Sequence, residues 1–192
     1  SAAPGVSVLR TKMADARNAA NIEFAEVTVG ADSLLGELGH GAAVLDAGLD
    51  IARIGLSAEM LGATQECFER TVSYLKERKQ FGVAIGSFQA LKHRAANMFC
   101  EIELSKSCVL EALTALDEGR DAEEVAKLAS LTKAKVGETF NLVSREGIQM
   151  HGGIGMTDEF DIGFFIKRAA VCEQTFGDVN YHRNRYGELE GY

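Results

Sequence analysis

Two stretches near the start of the chain, GVSVLRT (5–11) and NIEFAEVTV (21–29), alternate apolar and polar positions with the two-residue period of half-buried strands. In the second, Ile22 and Phe24 keep one phase and Val27 and Val29 the other, which predicts a bulge near Ala25. Two strands alone do not make a stable sheet, so their partners are expected outside this chain. From about Gly41 the period lengthens to three or four residues. Leu45, Leu49, Ala52, Leu56, Met60, Ala63, Cys67, Thr71 and Leu75 form one apolar stripe, on a helix predicted to run to about Glu77. RKQFGVAIGS (78–87) interrupts it with two glycines. Phe88, Leu91, Ala95, Met98, Ile102, Val109, Leu113 and Leu116 resume the stripe as far as DEGR, where Gly119 is placed to cap the helix end. Asp121 is a good N-cap for a third helix, and Glu123 and Glu124 follow where the helix dipole favours negative charge. The stripe of this helix is Val125, Leu128, Thr132, Val136, Phe140 and Val143. Shorter helices are predicted from Phe160 to Cys172 and from Gly177 to Leu189.

Helices of about 30 residues are ~45 Å long, and when short loops join them they pack as antiparallel bundles. The expected fold class is therefore mainly α. An antiparallel four-helix-type bundle should occupy 39–192, preceded by a short β remnant at 1–38.

Composition narrows the classes of function. Hydrophobic residues make up 46% and charged residues 25%, which is ordinary globular usage. The net charge of −8 argues against a nucleic-acid or anionic-membrane surface. No apolar run has the length of a membrane span, and no signal-peptide pattern opens the chain. Cys67, Cys100, Cys108 and Cys172 form no CxxC pair and read as reduced thiols, so a cytoplasmic location is expected. The histidines, His40, His93, His151 and His182, lie near no metal-type cluster. The chain opens at Ser1 in mid-pattern, and is expected to be a piece of something longer.

Two stretches carry candidate chemistry. In EGIQMHGGIGMTDEF (146–160) a helical stripe meets three glycines within four positions. That is a good helix stop, and equally a place where backbone amides can approach a ligand closely. The glycine spacing is wrong for a dinucleotide fingerprint, and no strand precedes it. In ERKQFGVAIGSFQALKHR (77–94), Arg78 and Lys79 close a helix where cations are favourable in any case. Arg78, Phe81 and Gln89 together also offer a guanidinium, an aromatic ring and an amide, a set suited to the phosphate and ring of a nucleotide.

Taken together, YLKERKQFGVAIGSFQALKHRAANM and REGIQMHGGIGMTDEFDIGFFIKRA resemble the C-terminal helical domain of acyl-CoA dehydrogenases. PGVSV and the segment MADARNAANIEFAEVTVGADSLLGELGHG resemble the last strands of that family's middle β-domain and the entry to the first bundle helix. The resemblance implies a three-domain FAD flavoprotein assembled as a dimer of dimers, with FAD at the subunit interface. By position, Arg78, Phe81, Gln89, Gln149, Gly152 and Gly153 match residues that hold the ADP end of the neighbouring subunit's FAD. Asp50 and Arg53 match a pair near the acyl-CoA site, although plain helix-surface charge explains them as simply.

The family's reaction is α,β-dehydrogenation of an acyl-CoA thioester, with an electron-transferring flavoprotein or similar acceptor as partner. It needs a carboxylate at the α-carbon in a dry site. In members that resemble this chain, that glutamate lies at one of two positions, and here they hold Gly177 and Ala52. Val179 replaces a threonine that would touch the subunit's own flavin, and Tyr181 replaces a glutamine. Asp178 is the one substitute acid, with an N-cap role as its simpler reading. Residues matching the neighbour's FAD are kept, and those matching the subunit's own active site are lost. The pattern fits the non-catalytic subunit of a heteromeric enzyme, as occurs in steroid side-chain degradation. The competing readings are a self-sufficient dehydrogenase that uses Asp178 and a flavin-free helical assembly module. Alone, the chain is expected to fold as a bundle, to self-associate through apolar helix faces and to lack dehydrogenase activity.

Overall fold

The computed structural model describes residues 3–14 and 17–192. Strands β1 (Val6–Lys12) and β2 (Asn18–Phe24) form an antiparallel ribbon in which Val6 faces Phe24 and Lys12 faces Asn18. β2 thus begins and ends earlier than its alternating pattern predicts. Asn18–Ala20 lie opposite Arg10–Lys12, so the backbone ladder extends the strand where the side chains carry no signal. Past Phe24 the ladder has one bond left, from Ala25 N–H to Gly5 O at 2.8 Å, and Glu26 then turns at φ +52°. The expected bulge near Ala25 is in fact the strand's end. Val8, Leu9, Ile22 and Phe24 on the ribbon are all exposed.

Five helices follow: α1 (Gly41–Glu77), α2 (Gln89–Asp117), α3 (Ala122–His151), α4 (Ile162–Gln174) and α5 (Val179–Glu190). A two-stranded hairpin, β3 (Lys79–Gln80) and β4 (Val83–Ala84), joins the first two. The fold is mainly α, and α3 is its axis, packed against each of the other four helices. Side-chain pairs set the directions. Arg94 meets Glu146 and Ser105 meets Thr139, so α2 runs antiparallel to α3. Arg70 meets Asp161 beside the end of α3, while Asp50 meets Arg185, which also bonds Ala126 near its start. α1 therefore runs parallel to α3, and α4 with α5 forms a broken fourth rod antiparallel to it.

The caps are those expected. Asp121 Oδ1 accepts from the N–H groups of Glu123 and Glu124, each at 3.0 Å, and Gly119 takes φ +65° beyond the end of α2. Asp178 Oδ1 accepts from Tyr181 N–H at 2.8 Å and so caps α5. The stripes need three corrections, the first being Phe88, which is 39% exposed because it is the N-cap of α2 and precedes the helix's buried face. Leu45 is 61% exposed, because α1 buries nothing before Asp50 and its first turns extend past the other helices. Leu113 is exposed while Ala112 and Ala115 are fully buried, since small residues let α2 approach α3 closely.

The core has three layers. One end is built from residues including Cys67, Met98, Ile102, Val143 and Ile162, and the middle from Leu56, Met60, Val136, Phe140 and Cys172. The third layer contains Ile54, Ala112 and Ala129 and adjoins a buried charge cluster. Burying one large apolar side chain contributes about 1.5–3 kcal/mol. The buried Thr64, Thr71 and Ser57 hydroxyls return hydrogen bonds to carbonyls four residues back, at 2.7–2.8 Å, which spares the core their desolvation cost.

Candidate functional site

At one end of the bundle the 78–88 segment and the glycine break come together. Phe81 and Gly82 form a two-residue turn between β3 and β4 with φ of +56° and +81°, the backbone of a type I′ hairpin. Its base is pinned by Arg78 N–H to Tyr74 O at 2.9 Å, by Ile85 N–H to Arg78 O at 2.8 Å, and by the buried Ile85 side chain. Its tip stands in solvent: Phe81 is 89% exposed and meets Phe88 edge-on. A non-glycine residue at positive φ costs about 1–3 kcal/mol, so the fold holds this ring out against a local strain.

Opposite the hairpin, α3 ends at His151 and Gly152 takes φ +67°, ψ −144°, a conformation open to glycine. Nothing lies within 4 Å of where a Cβ would stand at Gly152 or Gly153, so the backbone there can be approached from solvent. Beneath it, Tyr74 stacks on His151 at 4.3 Å and Phe160 packs edge-on against both. Burial lowers the His151 pKa, and its Nδ1 donates to Gly147 O at 2.7 Å. Arg78, Phe81, Gln149, Gly152 and Gly153 all line one open groove of about 690 Å³. Gln89 is exposed one residue past Phe88 and is not among its lining residues.

The second candidate region lies towards the other end of the bundle, and it is buried. Asp50 and Arg53 are 4% and 3% exposed, which removes the surface-charge reading. Arg53 Nη1 donates to Asp50 Oδ1 at 2.8 Å, and Arg185 holds both oxygens of that carboxylate, at 2.7 and 2.8 Å. Four more contacts, made by three side chains, fix the end of α4 and the turn into α5. Arg53 Nε donates to Phe176 O at 3.2 Å, and His182 Nε2 donates to the same oxygen at 3.1 Å. Lys133 Nζ donates to Gly177 O at 2.8 Å and to Glu173 O at 3.3 Å. A carbonyl only accepts, so Nε2 carries the His182 proton. Ser130, which accepts from Arg185 at 2.9 Å, is then free to donate to His182 Nδ1 at 3.3 Å. Burial, aided by Lys133 and Arg53, holds the His182 pKa down at about 4. Burial also lowers Lys133, only 1% exposed, to about 8.

A model of the acyl-CoA dehydrogenase C-terminal domain matches residues 39–189. The chain belongs to the acyl-CoA dehydrogenase family. It is 33% identical over 163 residues to the short/branched chain specific acyl-CoA dehydrogenase of Bos taurus mitochondria, covering 85% of this chain and 37% of that protein. Among solved structures, it resembles a steroid ACAD described as Tcur3481-Tcur3483 with 30% identity and a TM-score of 0.84, over 97% of this chain and 49% of that one. It also resembles an FAD-dependent dehydrogenase with 28% identity and a TM-score of 0.90, over 98% and 51%. The chain thus spans about half or less of the proteins it matches. Acyl-CoA dehydrogenases are FAD flavoproteins, and among the described residues no helix is long and apolar enough to cross a membrane.

The groove fits the ADP end of such a cofactor. It offers an exposed guanidinium, an exposed ring and open glycine backbone at a helix end. Ala52, which the sequence resemblance places at an alternative base position, is half-buried on α1 beside Arg53. Gly177 stands at φ +108°, and a Cβ there would lie 2.3 Å from Tyr181 Cδ1 and 3.0 Å from His182 Nε2. Sequence reasoning missed Lys133, His182 and Arg185. Lys133 had a signal, since it falls between Ala129 and Val136 on the apolar face of α3, where a lysine must find buried acceptors. His182 and Arg185 had none, because their partners come from α1, α3 and the α4–α5 turn.

Proposed function

We propose that this chain is the C-terminal part of an FAD-dependent acyl-CoA dehydrogenase and comes from the non-catalytic subunit of a heteromeric enzyme. Its role is to supply a wall for the ADP end of the partner subunit's FAD and an oligomer interface. The observation that carries this reading is an asymmetry. Arg78, Phe81, Gln149, Gly152 and Gly153 share one open groove, while both base positions hold residues without a carboxylate, Gly177 and Ala52. Gln89 joins the set by its place in the family pattern, next to Phe88 of the groove.

In this reading Arg78 balances pyrophosphate charge and Phe81 packs on the nucleotide. The open backbone at Gly152 and Gly153 lets the ligand come close, with Gln149 as an amide partner. Held there, FAD would supply the hydride acceptor for the β-carbon of the acyl-CoA. The α-proton must go to a carboxylate, and the partner subunit supplies it. Asp178 is a poor substitute, because its carboxylate is engaged in capping α5 through Tyr181 N–H. Asp50 and Arg53 act from beneath the acyl-CoA site. Both are tied to protein partners, Arg53 to Phe176 O and Asp50 to Arg53 and Arg185, so they shape the α4–α5 turn. An electron-transferring flavoprotein is the expected acceptor for the assembled enzyme, with a steroid-derived or fatty acyl-CoA as substrate.

The test is to express the full-length protein alone and with a paralogue that carries an intact base. Flavin absorbance and its bleaching by a panel of acyl-CoA thioesters are then followed. Flavin retention and bleaching are expected only for the pair. Bleaching by the full-length protein alone would refute the non-catalytic reading, and its loss on Asp178→Ala would then assign the base.

A further inference from the structure

The loss of a base at Gly177 leaves two distinct possibilities: an empty cleft that lacks only its acid, or a cleft that is physically closed. Four observations bear on the choice. A Cβ built at Gly177 would stand 2.3 Å from Tyr181 Cδ1 and 2.9 Å from Tyr181 Cε1, well inside van der Waals contact. The Tyr181 ring is held there. Arg53 Nη2 donates to its hydroxyl at 3.3 Å, the Arg53 guanidinium lies 5.7 Å from the ring centre, and His182 packs edge-on at 5.0 Å. Both anchors are themselves fixed, since Arg53 and His182 are buried and bonded to Phe176 O. Finally, the backbone of the turn is locked, with Phe176 at φ +60° and Gly177 at φ +108°, and with its carbonyls on Lys133, Arg53 and His182.

We propose that Tyr181 closes this chain's own acyl-CoA cleft at its reacting end, occupying the space that a side chain at position 177 would enter. This rests on the reading of the chain as an acyl-CoA dehydrogenase subunit, and deepens it. Position 177 is blocked rather than vacant. An acyl thioester approaching the turn meets the phenol ring in place of a carboxylate. Tyr181 is 45% exposed, so the plug has a free outer face, and its inner edge is tied to the buried Arg53 and His182.

The test uses the full-length protein assembled with its partner. Gly177→Ala and Tyr181→Ala are made singly and together, and urea midpoints are compared. The strain of alanine at positive φ is the same in both backgrounds, whereas the collision exists only where the ring is present. Gly177→Ala is therefore expected to lower the folding equilibrium constant at least tenfold less in the Tyr181→Ala background than in the wild type. An equal loss in both backgrounds overturns the proposal. Calorimetric titration with alkyl-CoA thioethers from ethyl to hexadecyl then counts ligand sites. The count should rise by one per subunit pair on Tyr181→Ala, and an unchanged count overturns the closure. Tyr181→Gln serves the same comparison if the alanine variant does not assemble. Flavin bleaching by the full-length wild type alone refutes the non-catalytic reading, and the midpoints and site counts still judge Tyr181 independently.

Discussion

Replacing Lys133 by methionine separates the charge of this buried side chain from its shape. In the fold its pKa is about 8, against an ordinary 10.5, chiefly because burial penalises the charged form. At 1.36 kcal/mol for each pH unit, that gap corresponds to about 3 kcal/mol. Between pH 8 and 10.5 the unfolded chain holds a proton on Lys133 that the folded chain has released, so this group's contribution makes stability rise with pH across that window. Below pH 8 the full cost of the buried charge is present. Methionine removes the pH-dependent part but leaves the carbonyls of Gly177 and Glu173 without their donor, at about 1–3 kcal/mol each. The variant should be the less stable protein at high pH, and the deficit should shrink by about 2–3 kcal/mol at neutral pH. Cys67, whose thiol is pushed up to about 12 by burial, weakens the fold as pH rises above 9, but it does so in both proteins and cancels in the comparison. Urea unfolding followed by helical circular dichroism, at about pH 7 and about pH 10, measures the two deficits. A deficit that is constant with pH, or larger at neutral pH, refutes the reasoning.

Other outcomes follow from the same geometry. Asp50→Ala leaves the Arg53 and Arg185 guanidiniums buried without their shared carboxylate, and should cost about 3–5 kcal/mol in a denaturant titration. Asp121→Ala removes an acceptor for two N–H groups of α3 and should cost about 1 kcal/mol by the same method, with no effect on flavin. Arg78→Ala should leave stability nearly unchanged while weakening FAD retention by the assembled enzyme. The loss of one charge-assisted contact, about 1.5–3 kcal/mol, predicts roughly 10- to 100-fold weaker binding by flavin fluorescence.

Much of the fold was legible along the chain because its signals are local. Helix periods, the Asp121 and Asp178 caps and the glycine stop at 152 depend on neighbours a few residues away, and the structure has each where the pattern put it. The ribbon was legible only roughly, because the end of β2 depends on where β1 stops supplying partners. The groove was half legible. Motifs named its residues, but only packing showed that Phe81 and Gly153 face one space and that Gln89 lies beyond its lining.

By itself the sequence determined the helical class, the order of the elements, the family resemblance and the absence of a carboxylate at Gly177 and Ala52. Each of these is a property of residue identity or of short-range periodicity. What happens around Gly177 was decided by the tertiary structure alone. Asp50, Arg53, Lys133, Tyr181, His182 and Arg185 stand on three helices and are separated by as many as 135 positions along the chain. Folding gathers them around one turn, where burial lowers the pKa values of Lys133 and His182 and steric exclusion fills the space of the missing side chain.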